Sequence, residues 1–192
     1  MRASIATLVL TLLLGIAPAP AWSKDETTTA PAEKAQSATD AKPAVPASPV
    51  TRHQAIIGGK PVKYTATVGW FILKDPKDNP IARFGYTAYT LDGVKDLAQR
   101  PVTFVFNGGP GSSSIWLHMG IMGPRRVVVN DGGYAPPPPS QVVDNPFSPL
   151  DVTDIVMIDP VGTGFSKPLG DAKPADFHGV DEDIRSVAQF IK

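Results

Sequence analysis

Cysteine is absent from the 192 residues. That absence excludes disulfide scaffolds, thiolate zinc sites, iron–sulfur clusters and cysteine nucleophiles together. An excess of charge is lacking too: 18 Lys and Arg stand against 18 Asp and Glu, a formal net charge of zero. Such a balance leaves no electrostatic footprint for nucleic acid and no polybasic segment for anionic lipid. Histidine is scarce. His53, His118 and His178 are scattered, with no His-x-x-x-His pair, so neither a metal nor a cofactor is expected. Nor is there a hydrophobic run long enough to cross a bilayer. Ile5 to Ile16 spans 12 residues, and a membrane helix needs ~20.

What that short run does fit is an export signal. Met1-Arg2 gives a basic start, and Ala19-x-Ala21 after the run has the small-residue cleavage pattern. Residues 1–21 are expected to be removed, leaving a secreted or periplasmic protein with no membrane attachment after cleavage. No cysteine follows the run, so lipidation is excluded. Residues 22–53 read as an Ala/Pro-rich linker. Between Lys24 and Pro49 the only sizeable apolar side chain is Val45, too little to offset the entropy of ordering. Residues 54–192 remain as the folded part.

The folded part alternates strand and turn signals. Lys63 to Leu73 and Ala82 to Leu91 read as two strands around the turn-rich Asp75 to Pro80, an antiparallel pair. Phe84, Tyr86, Ala88 and Thr90 share one face of the second. Pro101 to Phe106 and Ile155 to Ile158 are short apolar runs, expected as strands buried on both faces. Pro136 to Pro139 must lie in a loop. Val180, Ile184, Val187, Ala188 and Ile191 form one apolar stripe of a last helix, and Asp181, Glu182 and Asp183 suit the dipole of its first turn. No cap precedes Lys192, as in a truncated chain. The whole implies an α/β class: a mixed sheet with antiparallel first strands.

Two glycine-rich segments follow the apolar runs. Asn107-Gly108-Gly109-Pro110-Gly111-Ser112-Ser113-Ser114 directly follows the first. Its glycines permit a sharp turn, its serines offer N-caps for a helix from Ile115, and exposed N–H groups at such a turn can hold an oxyanion. A P-loop would need Lys after Gly111, where Ser112 stands. Asp159-Pro160-Val161-Gly162-Thr163-Gly164-Phe165-Ser166 follows the second run. A dinucleotide fingerprint would need a third glycine, and the matching positions are Ser114 and Lys167.

Taken together, these residues resemble the serine carboxypeptidase family, peptidase family S10, of the α/β-hydrolase fold. The family's ordered motifs match Asn107 to Gly111 with Ser112 to Ser114, then Gly123-Pro124, Asn145-Pro146-Phe147-Ser148, and Pro160 to Ser166. The resemblance covers about Tyr64 to Lys192. It implies the N-terminal portion of an α/β-hydrolase, acting on peptides by release of C-terminal residues through an acyl-enzyme. It implies an oxyanion-hole N–H at Gly109 and substrate-carboxylate binding at Asn107 and Gly108. The family usually has Trp where this chain has Val105, Glu where it has Ile121 and Cys where it has Ser112, so two members of the carboxylate-gripping network are missing.

The family's catalytic triad is not in the chain. No Gly-x-Ser-x-Gly elbow occurs: Pro168 stands two residues after Ser166, and Ile115 two residues after Ser113. His53 reads as solvated, His118 as packing or surface, His178 as a residue near a helix start, and Asp159 as a turn or cap residue rather than a catalytic acid. The expectation is that nucleophile, acid and base lie beyond Lys192, and that the 192 residues alone are inactive. Two other readings stay open. A proline-iminopeptidase-like hydrolase would have His-Gly-Gly-Pro-Gly where this chain has Asn107, and the chain could also be a non-catalytic exported fragment.

Overall fold

The computed structural model describes residues 47–107, 111–129 and 136–192. The expected signal segment, residues 22–46 of the expected linker, and Gly108, Gly109 and Pro110 lie outside the described residues.

The first strand, β1, runs over Val50–Ile57 and turns through Gly58-Gly59 into β2, Lys60–Lys74. Both glycines have positive φ, +55° and +76°, the backbone that matches a two-residue turn to the twist of its strands. Ordered structure thus begins before Gln54: Val50 to His53 pair with Thr67 to Tyr64, where a linker was expected. Their side chains are all exposed. Backbone pairing, not an apolar pattern, places them in the sheet, so nothing in their composition announces a strand.

β2 folds back onto β3, Pro80–Leu91, over the expected turn. There the Asp75 carboxylate accepts the Asn79 side-chain amide at 3.0 Å and the Lys77 and Asn79 N–H groups at 2.8 Å each. The Asn79 bonds above all hold that carboxyl below the usual range. Next come β4, Val102–Val105, and helix α1, Ile115–Leu117, which widens into a π turn over His118–Met122. A two-stranded ribbon, β5 (Arg125–Val127) with β6 (Val142–Asp144), brackets the proline-rich segment and was not foreseen. β7, Asp154–Ile158, β8, Lys167–Pro168, and helix α2, Val180–Ile191, complete the fold.

The main sheet has the order β1-β2-β3-β7-β4, with β8 beside β3. Every pair is antiparallel except β4 with β7, which is parallel. This is the expected mixed sheet with antiparallel first strands. On one face Tyr64, Val105, Ile155 and Met157 form a core with Leu150, against which Leu117 and Met122 pack. On the other, Leu73, Ala82, Phe84 and Ile158 pack with Phe177, Val187 and Phe190. Helical segments thus cover both faces.

Two expectations about burial are corrected. The segment Pro101 to Phe106, which contains β4, is not buried on both faces: Val102 is 51% and Phe106 45% exposed. Among the described residues β4 pairs only with β7, so one backbone edge has no ladder partner. Of the expected stripe, helix α2 turns only Val187 to the core. Val180, Ile184 and Ile191 are exposed, while Ser186 is buried and Val187 and Phe190 face the core. The Phe190 ring sets this rotation. It stacks on Phe84 at 5.2 Å and meets Phe71 and Phe104 edge-on at 5.6 and 6.1 Å, a set of aromatic contacts no aliphatic residue of the outer stripe could make.

The start of β7 is anchored by an ion pair with little solvent access. Arg100 Nε donates to Asp154 Oδ1 at 2.6 Å, and the same oxygen accepts the Leu91 N–H at 3.0 Å. Arg100 also donates to the Leu150 carbonyl at 2.6 Å. The carboxylate therefore ties β3, β7 and the segment before β4 together at the edge opposite the glycine turns.

Candidate active site

β4 and β7 are parallel neighbours, so their C-terminal ends open at the same edge of the sheet. Both glycine-rich segments leave from that edge. Ligands of open α/β sheets bind there, outside the carboxyl ends of the strands.

Asp159 joins the two segments. Its Oδ1 accepts the Ser114 N–H at 2.9 Å and the Ser114 hydroxyl at 2.8 Å. Its Oδ2 accepts the Phe165 N–H at 3.3 Å. The backbone beneath is pinned as firmly. Asp159 N–H donates to the Gly85 carbonyl at 3.1 Å. The buried Ser166 hydroxyl donates to the Asp159 carbonyl at 2.6 Å and accepts the Gly85 N–H at 2.7 Å. Gly164 makes room for the carboxylate: its φ is +46°, and a Cβ there would overlap Asp159 Oδ2. Asp159 therefore has the turn role expected of it, extended to the other turn as well. The Gly-x-Gly after a strand-end aspartate was visible in the sequence; that the carboxylate would reach Ser114, 45 residues away, was not.

Asn107 is half-buried, and its Nδ2 donates to the Ser112 hydroxyl at 3.4 Å. Gly108 and Gly109 lie outside the described residues. A helix does begin at Ile115 as expected, but Ser114 makes no side-chain capping bond, because its hydroxyl is committed to Asp159. The other family motif is a clamp. Buried Asn145 donates through Nδ2 to the carbonyls of Ile121 and Gly123 at 2.7 and 2.8 Å, and the Ser148 hydroxyl donates to the Met122 carbonyl at 2.8 Å. These bonds satisfy carbonyls at the end of the π turn. Val105 lies in the apolar core, and Ile121 is 60% exposed.

The residues weighed as triad members do not assemble one. Ser113, His118 and Asp159 line a single cleft of about 330 Å³, yet no hydrogen bond joins His118 to either partner among the described residues. His118 Nε2 is hydrogen-bonded to the Tyr89 hydroxyl, and Asp159 is engaged by Ser114 and Phe165. His118 is a packed residue. Burial lowers its pKa, opposed by the Asp159 charge. Burial and the nearby Tyr64 push the Tyr89 phenol up to about 12. His53 is exposed, as expected, but stacks on Tyr64 at 5.5 Å within β1. His178 is exposed beside Gly162. Ser166 is buried under the second turn.

Residues 86–189 match the family model described as serine carboxypeptidase. No curated protein matches the chain. Among solved structures, the chain is similar to the crystal structure of Kex1(delta)p, a prohormone-processing carboxypeptidase from Saccharomyces cerevisiae. The identity is 26% and the TM-score 0.49, over 66% of this chain and 26% of that one. The chain thus spans about a quarter of the length of that carboxypeptidase.

Proposed function

The chain belongs to the serine carboxypeptidase family, and from that premise we propose that it forms the oxyanion and carboxylate-binding part of a secreted serine-type carboxypeptidase. The observation that carries this reading is the pair of family-pattern turns at one edge of the sheet, tied through Asp159. In this reading the Gly109 N–H stabilises the oxyanion formed when a serine attacks the last peptide carbonyl. Asn107 and Gly108 hold the C-terminal carboxylate of the peptide. The attacking serine and its Asp and His come from residues outside these 192, since the sequence contains no Gly-x-Ser-x-Gly. By itself the chain is inactive. Residues 1–21 direct export to the periplasm or the cell exterior, and the stretch after them tethers the domain.

The test uses the polypeptide that carries this chain together with a nucleophile elbow. Three peptides are supplied, an N-blocked one with a free C-terminal acid, an N-blocked one with a C-terminal amide and one with a free N-terminus, and products are read by mass spectrometry. Loss of single residues from the free acid, slowed on the amide, is expected. Release of residues only from peptides with a free N-terminus would point instead to an iminopeptidase and overturn the reading.

A further inference from the structure

We propose that Asp159 is a positioning residue for this reaction: its carboxylate moors Ser114, the last residue of the Asn107–Ser114 segment, to the Asp159–Ser166 turn. The inference rests on the function proposed above and adds a role to a residue outside the triad and outside the carboxylate grip. Asp159 is unsuited to proton transfer with His118, because each of its oxygens already accepts a hydrogen bond: two on Oδ1 from Ser114 and one on Oδ2 from Phe165. It is well suited to positioning. It leaves β7 directly, and its own N–H and carbonyl are locked to Gly85 and Ser166. The carboxylate is therefore a fixed post, and Ser114, 5% exposed, is moored to it through both backbone and side chain. Ser114 is the last residue before α1, so the mooring also sets the start of that helix.

Charged acceptors make such bonds short and strong, and small misplacement of a catalytic group costs rate steeply. Gly164 belongs to the same device. A Cβ there would displace Asp159 Oδ2 and would strain a backbone at φ +46°, so Gly164→Ala disturbs the carboxylate together with the turn that carries it.

The experiment compares Asp159→Asn, Ser114→Ala and Gly164→Ala with the parent in the active polypeptide, each rate normalised to sites titrated with a fluorophosphonate. Asp159→Asn places an N–H donor against groups that themselves donate, and kcat per titrated site is expected to fall by about 10²-fold with KM within a few-fold. Ser114→Ala keeps the backbone bond and is expected to lose less, about tenfold. Adding it to Asp159→Asn is expected to cost little more, because both act on one contact. A merely structural role would lower the melting temperature and the titratable fraction while leaving kcat per site unchanged, and that result would overturn the inference. Should Asp159→Asn fail to fold, Ser114→Ala decides by the same split. A parent polypeptide that neither titrates nor releases residues overturns the proposed function, and this role with it. An active parent with indifferent variants overturns only the role of Asp159.

Discussion

Tyr89 and His118 pair a half-buried phenol with a half-buried imidazole, and their titrations carry opposite signs. The His118 pKa is lowered in the fold, so the unfolded chain binds the proton more readily. Its contribution to stability is present above the unfolded value of about 6.5 and is lost as pH falls from there through the folded value. The Tyr89 phenol is raised to about 12. Its contribution is full below the ordinary value of about 10 and is lost as pH rises through the folded one. Thermal midpoints are expected to fall between about pH 7.5 and 5, with a shallower slope in His118→Gln; equal slopes would contradict the burial of the neutral ring. Phenolate absorbance is expected to show a neutral tyrosine fraction persisting at about pH 11, and its reduction in Tyr89→Phe assigns that share to Tyr89.

The same residues show how far a sequence can be read at this scale. His118 was legible as a packing residue and Asp159 as a turn residue, because a histidine in a helical segment and an aspartate before Gly-x-Gly have few other uses. Their partners were not legible. Tyr89 and Ser114 are distant in the chain from His118 and Asp159, and only the pairing of β7 with both β3 and β4 brings the segments that carry these contacts together. Ser114 misled for a related reason. A local capping bond is the default for a serine at a helix start, and it lost to a charged acceptor that arrives from another strand.

At the scale of elements, the four strands foreseen all exist, within a few residues of their expected ends. Those that were missed, β1, β5, β6 and β8, are short or carry exposed side chains, so no periodicity marks them. Helix α2 was placed correctly and rotated wrongly. Its aliphatic residues outnumber the aromatic one, yet Phe190 decides which side is buried. Replacing Phe190 with Ala is expected to destabilise the fold by about 3–5 kcal/mol. Ile184→Ala, at 61% exposure, is expected to change stability by under about 0.5 kcal/mol. Chemical denaturation of the two variants checks this. Equal losses would mean that the outer stripe, not Phe190, holds the helix to the sheet.

At the scale of the molecule, the α/β class and the mixed sheet followed from two apolar runs with glycine turns after two antiparallel strands. The meeting of those turns did not follow. It requires β4 and β7 to be adjacent and parallel, although residues 106–153 separate them in the chain and the β5–β6 ribbon lies between. That adjacency makes one edge of the sheet the candidate active site and gives Asp159 its reach. The position of the nucleophile, proposed to lie outside these 192 residues, is the central matter. Labelling with a serine-directed fluorophosphonate tests it most directly, applied side by side to the 192-residue chain and to a polypeptide that carries this chain together with a nucleophile elbow. We expect no label on the first and one label per molecule on the second, at the serine of a Gly-x-Ser-x-Gly elbow. Stoichiometric labelling of the 192-residue chain would contradict it.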